Sequence, residues 1–454
     1  MSAALEVAER AIAAASGDDV QAFVHRERSG LARFAEHEVH QPTLIDNVIV
    51  QLTVVRDGRV GSSATNRISD EGLAAAAARA EQSAENAPAD PGFPGLAGPG
   101  EMPEVAGYDD ETAALSPEEQ AVRARAAIDA AGALGVYGYF TSGVTELAVA
   151  GTNGLSAAQT LTDATALVLA GDAEVSGFAS ATSWRAGEVD PAAVAREAAE
   201  KAARTRGGGA IEPGRYRAVL EPYALSELLE YFSFDTFNGL GLLEERSAFS
   251  GRLGERLFDE KVSVSDEPLD PAGLPKAFDF EGSPRRPVPL IDRGVARGVV
   301  WDRASAARAG NGTETTGHAV PPEMRPYGAF PFALSVAPGA AASVDELAEL
   351  VGDGIYVTRL HYLSVVHPRE GVITGMTRDG TFRIRDGRVA EPLANLRFTV
   401  SVPQVLAEVP GLTRERKLVN RSDFYGERYP FGVVCPALAT AAFTITGVGS
   451  SPGL

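Results

Sequence analysis

Histidine and cysteine are the side chains best suited to bind a transition metal, and this chain has six of the first and one of the second. His361 and His367 lie six residues apart in the stretch RLHYLSVVHPREGVITG. The composition of this stretch is typical of a β-strand, in which six residues span about 20 Å. One ion cannot bridge that distance unless the chain folds back. We therefore predict a strand that runs into a turn at Pro368, and not a metal site.

A second stretch, HEVHQP, resembles the helical zinc motif H-E-x-x-H. Its histidines, His37 and His40, are three residues apart instead of four, and Pro42 follows at once. The two rings would therefore not point the same way on a helix. We predict an exposed strand edge here. His318, in the loop sequence TGHAVPP, has no partner nearby in the sequence and is a candidate for lining a binding cleft.

No nucleophile elbow, P-loop or dinucleotide fingerprint is present in the sequence. A single cysteine excludes an intrachain disulfide and a multi-cysteine metal site. Cys435 lies in the apolar run FGVVCPALATAAFTITG, where a cysteine is most often a small buried residue. These observations favour neither covalent catalysis nor nucleotide chemistry.

The charge of the chain is strongly negative, with 41 Lys and Arg against 61 Asp and Glu and a net charge of −20. This balance disfavours nucleic acid and anionic membrane surfaces as partners. The first residues predict an amphipathic helix instead of a signal peptide. No apolar run approaches the roughly 20 residues that span a bilayer. We expect a cytoplasmic protein.

The order of predicted elements indicates an α+β protein of two domains. Residues 1–210 read as an N-terminal α/β domain with hairpins and helices. They include a Pro- and Gly-rich surface connection at 86–110. Residues 211–454 read as a largely antiparallel β domain, since short strands alternate with Gly, Pro and Asp-Gly turns.

One helix is well marked in the second half, at residues 223–238, by a stripe of Leu and Phe side chains with helical spacing. Asn238, followed by glycine, is predicted to end it. Glu227 and Glu230 share one flank of this helix, and the simplest interpretation is a core helix with a solvated acidic side.

Several segments resemble, in order along the chain, segments of the TldD/PmbA family, whose second member is also called TldE. They are RVGSSATN, GRYRAVLEPYALSELLEYF, FDFEGSPRRPVPLIDRGVARGVVWDRASA and ITGMTRDGTFRIRDGRV. The resemblance covers nearly the whole chain. It implies an α/β N-terminal domain, a largely antiparallel C-terminal domain and a link to metal-dependent proteolysis.

In TldD-type members, the resemblance places H-E-x-x-x-H on the helix that matches residues 223–238, with a cysteine completing the zinc site. Here the histidine positions fall on Glu230 and Asp235, the general-base position on Tyr231, and the cysteine on Cys435. The motif is therefore absent. Glu230 and Asp235 would point about 140° apart on a straight helix, which argues against a shared magnesium ion. We expect no cofactor in this chain and zinc in a TldD-type partner.

The resemblance thus implies a PmbA/TldE-like, non-catalytic subunit of a cytoplasmic metallopeptidase that processes small or unfolded peptides. Its partner would be a TldD-type subunit, with no role for nucleic acid or membrane. The implied cavity-lining residues are Tyr231, Thr315, Thr316 and His318. One alternative is a homodimeric metal-dependent peptidase that uses Glu230, Asp235 and Cys435. Another is a regulatory binding protein without enzymatic activity.

Overall fold

The computed structural model describes residues 2–422 and 426–449. In the N-terminal part, Ser and Asp caps begin most helices, and long strands lie between them. The elements of this part are α1 (Ala3–Ala13), β1 (Asp19–Glu36), β2 (Glu38–Arg56), β3 (Arg59–Thr65), α2 (Asp70–Asn86), α3 (Asp110–Ala113), α4 (Pro117–Ala130), β4 (Gly135–Gly151), β5 (Ser156–Gly171), β6 (Ser176–Ser183) and α5 (Pro191–Ala203).

Strands β1 to β6 form one sheet in the order β3-β2-β1-β4-β5-β6, and every pairing in it is antiparallel. Strands β2 and β3 are joined by a hairpin turn at Asp57-Gly58, a sequence typical of such turns, and both residues have positive φ, of 50° and 69°. Because side chains alternate along a strand, the sheet has two distinct faces. One face packs against the four longer helices α1, α2, α4 and α5.

The C-terminal part is dominated by strands. Its elements are β7 (Gly214–Leu220), α6 (Pro222–Thr236), α7 (Gly239–Leu243), β8 (Val264–Asp266), β9 (Val288–Asp292), β10 (Val295–Ala296), α8 (Arg303–Ala309), β11 (Leu334–Val336), α9 (Val344–Val351), β12 (Gly354–His367), β13 (Val372–Arg385), β14 (Arg388–Leu393), β15 (Leu396–Ser401), α10 (Val402–Val405), β16 (Leu412–Asn420) and β17 (Gly432–Val448).

These strands form one 11-stranded sheet along the path β10-β9-β8-β11-β17-β15-β13-β12-β7, with β14 on β13 and β16 on β17. Strand β17 also pairs with β7, which closes β17, β15, β13, β12 and β7 into a ring. Two pairings, β11 with β17 and β12 with β7, are parallel, and the others are antiparallel. The predicted α+β class, with a largely antiparallel C-terminal sheet, is confirmed.

The second face of the N-terminal sheet packs against the C-terminal part. Phe23 of β1 and Val149 of β4 lie in one apolar cluster with Phe278 and Phe280. The rings of Phe23 and Phe280 have centroids 5.1 Å apart. The neighbouring residues on β1 and β4 face the helices instead. The two parts therefore share a hydrophobic core, with the N-terminal sheet between its own helices and the second sheet.

Three local predictions can be compared directly with the structure. Helix α6 occupies Pro222–Thr236, so it ends before Asn238, which instead caps α7 by accepting a hydrogen bond from the N–H of Leu240. His367 ends strand β12, and a 3₁₀ turn begins at Pro368, which confirms the predicted strand and turn. His37 and His40 are exposed, in the turn before β2 and on its free edge, as predicted.

The 86–110 connection is irregular, as predicted, but its description as a surface segment is incomplete. Ala97 is buried, and the Arg303 guanidinium donates hydrogen bonds to the carbonyl groups of Pro94, Gly95 and Leu96. The segment is therefore held against the C-terminal part of the chain. No helix within residues 2–422 or 426–449 has the length and apolar character needed to cross a bilayer.

Candidate functional site

A cavity of about 310 Å³ lies between the two sheets, beside helix α6. The N-terminal sheet and the C-terminal part both contribute to its walls, which mix aromatic, hydroxyl and charged side chains. The lining residues are Tyr139, Thr165, Leu167, Phe178, Ser180, Tyr223, Glu227, Arg359, Val419, Asn420, Arg421 and Ser422. Such a polar and aromatic cleft between domains is a common location for a binding site.

Glu227, on the acidic flank of α6, lines this cavity, and the flank is largely buried, not solvated as predicted. The Nε atom of Arg421 donates to Glu230 in a short contact, and its Nη1 lies 3.4 Å from Oε1 of Glu227. The other oxygen of Glu227 accepts a hydrogen bond of 3.1 Å from the N–H of Leu360 on β12. One guanidinium thus holds both carboxylates and links the helix to the end of β16.

Burial raises the pKa of Glu227 and of Glu230, and the positive charge of Arg421 opposes that rise in each case. The lone pairs that would bind a cation instead accept hydrogen bonds from the guanidinium. A metal ion at this place would also be repelled by Arg421. Glu227, Glu230 and Arg421 therefore form an ion cluster inside the protein, and their charges do not favour a metal site.

Arg359 forms a second charged part of the cavity wall. Its Nη1 atom donates to Oδ2 of Asp379 at 2.6 Å, and its guanidinium lies 4.0 Å from the ring centroid of Phe178. Phe178 belongs to β6, so this stacking contact connects the two sheets. Two guanidinium groups, those of Arg421 and Arg359, therefore line the cavity and interact electrostatically with Glu227.

A hydrogen-bonded network around Tyr223 forms part of the cavity wall. Its hydroxyl lies 3.0 Å from both the N–H and the carbonyl oxygen of Ser180, and it contacts Nζ of Lys417. Nearby, Nζ of Lys201 on α5 bridges Glu197 at 2.8 Å and Glu221 at 2.7 Å. These contacts join α5 and β6 to the C-terminal part and fix the position of α6.

The three residues at the family's metal positions each have a separate partner. Glu230 pairs with Arg421, and Asp235 pairs with Arg246. The thiol of Cys435 is buried and lies 3.4 Å from the carbonyl oxygen of Pro222, and burial raises its pKa. Zinc binding favours thiolate and imidazole ligands, so this donor set does not fit zinc. Within residues 2–422 and 426–449, no three His, Cys, Asp or Glu side chains are grouped to hold a metal ion.

The predicted cavity-lining loop residues are occupied by internal contacts. His318 is fully buried, with Nε2 2.7 Å from Oδ2 of Asp266 and Nδ1 2.9 Å from the hydroxyl of Thr316. Burial lowers the pKa of His318 and favours its neutral form. Thr315 and Thr316 both hydrogen-bond the carbonyl group of Trp301. Their contacts indicate a structural role, and they do not line the cavity beside α6.

Tyr231, the fourth predicted lining residue, is half-buried and packs against the core of the C-terminal part, with its ring 5.5 Å from that of Phe234. Sequence analysis missed Arg421 and Arg359. Arg421 is 191 residues from Glu230, and no local pattern marks either arginine. A buried acidic flank needs a cation, but the sequence does not identify which one.

Comparison with known proteins identifies the family to which this chain belongs. The model of the PmbA/TldA metallopeptidase C-terminal domain matches residues 213–447, and that of domain 1 matches residues 20–84. The first match alone covers more than half of the chain. The chain therefore belongs to the PmbA/TldD metallopeptidase family.

Among solved structures, the chain resembles TldE from Thermococcus kodakarensis with a TM-score of 0.86 and 21% identity, over 98% of this chain and 100% of that one. It also resembles a protein described as a modulator of a DNA gyrase from Thermotoga maritima. That TM-score is 0.81 at 20% identity, over 94% of this chain and 96% of that one. At such identities the likeness establishes the fold alone.

Among curated proteins, a metalloprotease of Methanothermobacter thermautotrophicus is 26% identical over 230 residues, which are 49% of this chain and 48% of that protein. An uncharacterised protein of Methanocaldococcus jannaschii is 31% identical over 115 residues, which are 25% of this chain and 26% of that protein. The matches thus span about half the length of the first relative and about a quarter of the second.

Proposed function

We propose that this chain is a non-catalytic, TldE-like subunit of a cytoplasmic metallopeptidase that acts on small or unfolded peptides. The observation that supports this most is the guanidinium of Arg421, which holds Glu227 and Glu230 at the helix position where TldD-type members are expected to carry their metal motif. The guanidinium group of Arg421 thus occupies carboxylate oxygens that a catalytic metal ion would need as free ligands.

The chemistry of hydrolysis gives the physical reason. A hydrolytic zinc ion needs about three protein ligands, an open position for water and a carboxylate base. Here Glu230 and Asp235 are paired with arginines, and Tyr231 stands at the base position. A phenol has a pKa near 10 and is a poor base at neutral pH. The arrangement favours a structural use of α6.

The proposed division of roles follows from this. A TldD-type partner supplies the zinc ion, and this chain supplies a rigid wall that helps to enclose the peptide. The interdomain contacts of Tyr223, Lys201 and Arg359 support rigidity, because they join both sheets around the cavity. A homodimeric peptidase would require Glu230, Asp235 and Cys435 to leave their present partners.

Metal content and peptide turnover test the proposal together. We expect the purified chain alone to contain far less than one equivalent of zinc and to leave an unstructured peptide intact. A mixture with a TldD-type subunit should contain about one equivalent per pair and cleave the peptide in a chelator-sensitive manner. The control is the TldD-type subunit alone at the same concentration.

The opposite result is equally clear. One equivalent of metal on the lone chain, with chelator-sensitive cleavage that is lost in Glu230→Gln or Cys435→Ala, would support the homodimeric peptidase. Retention of that activity in both variants would mean that contaminating protease is present, and the lone chain would remain non-catalytic.

A further inference from the structure

The outer side of α6 leads to an exposed apolar surface that the proposed function does not use. Phe234 at the end of α6 is 41% exposed. Met324 and Tyr327, on the neighbouring 3₁₀ helix Pro322–Tyr327, are 44% and 66% exposed. We call Phe234, Met324 and Tyr327 the aromatic surface. Large side chains exposed together in this way mark interaction sites more often than chance.

The backbone beneath the aromatic surface is held in place. The side-chain amide of Asn238 donates to the carbonyl oxygens of Phe234 and Tyr327, at 3.0 Å and 2.6 Å. The ring of Phe234 packs on Phe330, with centroids 5.4 Å apart, and Phe330 packs on Phe332 at 5.0 Å. A pre-organised surface loses less conformational entropy on binding, which favours affinity.

Acidic side chains without a matching cation border this surface. Glu323 lies on the same 3₁₀ helix and is exposed, and within residues 2–422 and 426–449 it forms no ion pair or hydrogen bond. It interacts electrostatically with Glu427. Among the described residues, His25 is the group that pairs with Glu427, at 3.9 Å, and burial favours the neutral form of His25. Arg325, the one cation of the 3₁₀ helix, interacts electrostatically with Glu281.

We propose that the aromatic surface binds a polypeptide segment that carries an apolar side chain beside a lysine or arginine. The apolar side chain packs on Phe234 and Tyr327, and the cation neutralises Glu323 and Glu427. Charge complementarity argues against a second copy of this chain as the occupant, because each copy brings a net charge of −20. This inference rests on the proposed function and adds to it a preferred class of peptide.

Binding to the isolated chain tests the proposal without metal, partner or turnover. The probe is a fluorescein-labelled, unstructured peptide containing Phe and Lys, followed by fluorescence anisotropy. Two matched peptides carry Glu in place of Lys, or Ser in place of Phe. We expect the Phe/Lys peptide to bind, and to bind less well as salt rises to about 0.15 M, where charges are screened beyond about 8 Å. Both matched peptides should bind at least about tenfold more weakly.

Variants of the chain locate the binding. Tyr327→Ser should weaken binding of the Phe/Lys peptide by about tenfold or more, since aromatic side chains dominate binding energy at such surfaces. Glu323→Gln should reduce both the affinity and its salt dependence. The matched controls are Leu44→Ser and Glu38→Gln, two exposed positions on β2 far from α6 in the sequence, which should change neither. Tyr327 and Glu323 are exposed, so folding should be retained.

Equal binding of the Lys and Glu peptides would overturn the proposal, as would unchanged binding by Tyr327→Ser. If Tyr327→Ser instead converts a dimer into a monomer in light scattering, the surface is an interface between copies and the proposal is wrong. Failure here leaves the metal and turnover experiment untouched. Failure of that experiment would not alter binding to the lone chain, so the two ideas are separable.

Discussion

Arg421 holds two buried carboxylates beside the interdomain cavity, and its replacement has a direct energetic consequence. Arg421→Met would leave the largely buried Glu230 without its cation, and Glu227 with the charge of Arg359 alone. We expect the free energy of unfolding to fall by about 3–5 kcal/mol, the range for a buried ion pair that loses one partner. Urea denaturation of the variant and the parent chain measures this difference.

Two further variants make that measurement specific. Adding Glu230→Gln to Arg421→Met should recover part of the loss, because one unpaired buried charge is removed. Arg125→Ala breaks an exposed pair between positions i and i+4 on α4 and should cost at most about 0.5 kcal/mol. Equal effects of Arg421→Met and Arg125→Ala would show that Glu227 and Glu230 are not held by Arg421 in solution.

Glu281 gives a prediction that depends on pH. Burial, and the neighbouring charge of Asp279, raise its pKa from 4.5 to about 7. The folded chain therefore holds a proton that the unfolded chain releases. This contribution to stability is fully present below about pH 4.5 and is lost as pH rises through about 7. The Glu281→Gln variant cannot ionise at this position, so its stability should not fall in this way. Its side-chain amide oxygen can still accept the hydrogen bond from the N–H of Arg303.

We therefore expect the stability of Glu281→Gln, relative to the parent chain, to improve between pH 5 and pH 8. The change should be on the order of 2 kcal/mol, since one pKa unit corresponds to about 1.4 kcal/mol. Chemical denaturation at the two pH values gives the difference. A difference that stays constant with pH would mean that Glu281 titrates normally in the folded chain.

At the scale of elements, local sequence signals predict the helices better than the long strands. Ser69, Ser116 and Asp190 cap α2, α4 and α5, and such caps can be recognised in a sequence because a cap needs neighbouring residues and no tertiary contact. The hairpin between β1 and β2 is not marked in the sequence, since its turn at Glu36 and His37 contains no glycine or proline. A hairpin without turn residues depends on its cross-strand partners, which a single sequence does not identify.

The capping box of α4 supports a test at this scale. The Ser116 hydroxyl accepts from the N–H of Glu119, and the Glu119 carboxylate accepts from the N–H of Ser116. Ser116→Ala should lower the free energy of unfolding by about 1 kcal/mol. Ser156→Ala, at the exposed start of β5, is the matched control and should have little effect. A loss as large in the control would contradict the role of the cap.

At the scale of the whole molecule, the two parts of the chain are joined by more than apolar packing. The guanidinium of Arg428 binds both carboxylate oxygens of Asp163, at 2.8 Å and 2.6 Å, and all these atoms are buried. Its carbonyl oxygen lies 2.8 Å from Nε2 of His25. A segment from the end of the chain is thereby fixed to β1 and β5, which gives the N-terminal sheet a contact that the expected boundary near residue 210 does not suggest.

Because these contacts join the N-terminal and C-terminal parts, we expect the two parts to unfold together. We expect a single transition in differential scanning calorimetry, although chains of this length often show several. Phe280→Ala, which removes a large side chain from the shared core, should lower its midpoint, because such changes cost about 3–5 kcal/mol. Leu253→Ala, at a residue that is 44% exposed, should leave the midpoint nearly unchanged. Two separated transitions in the parent chain would contradict the shared core.

The cavity and its charges could be predicted in part. The acidic flank of α6 and the family's metal positions are visible in the sequence, whereas Arg421 and Arg359 come from elements that are distant in the sequence. Asp266 and His318 illustrate the same limit, because 52 residues separate two side chains in direct contact. Sequence periodicity predicts which face of an element is buried, and tertiary contacts decide which side chain it meets.

The single cysteine also has a practical consequence. Cys435 lies within β17, which pairs with four other strands, and its buried thiol ionises with difficulty. A thiol-specific reagent can therefore react with it only while the C-terminal sheet is open. The rate of native-state thiol labelling is thus a direct measure of how often that sheet opens, and a bound peptide or partner that holds the sheet closed would slow it.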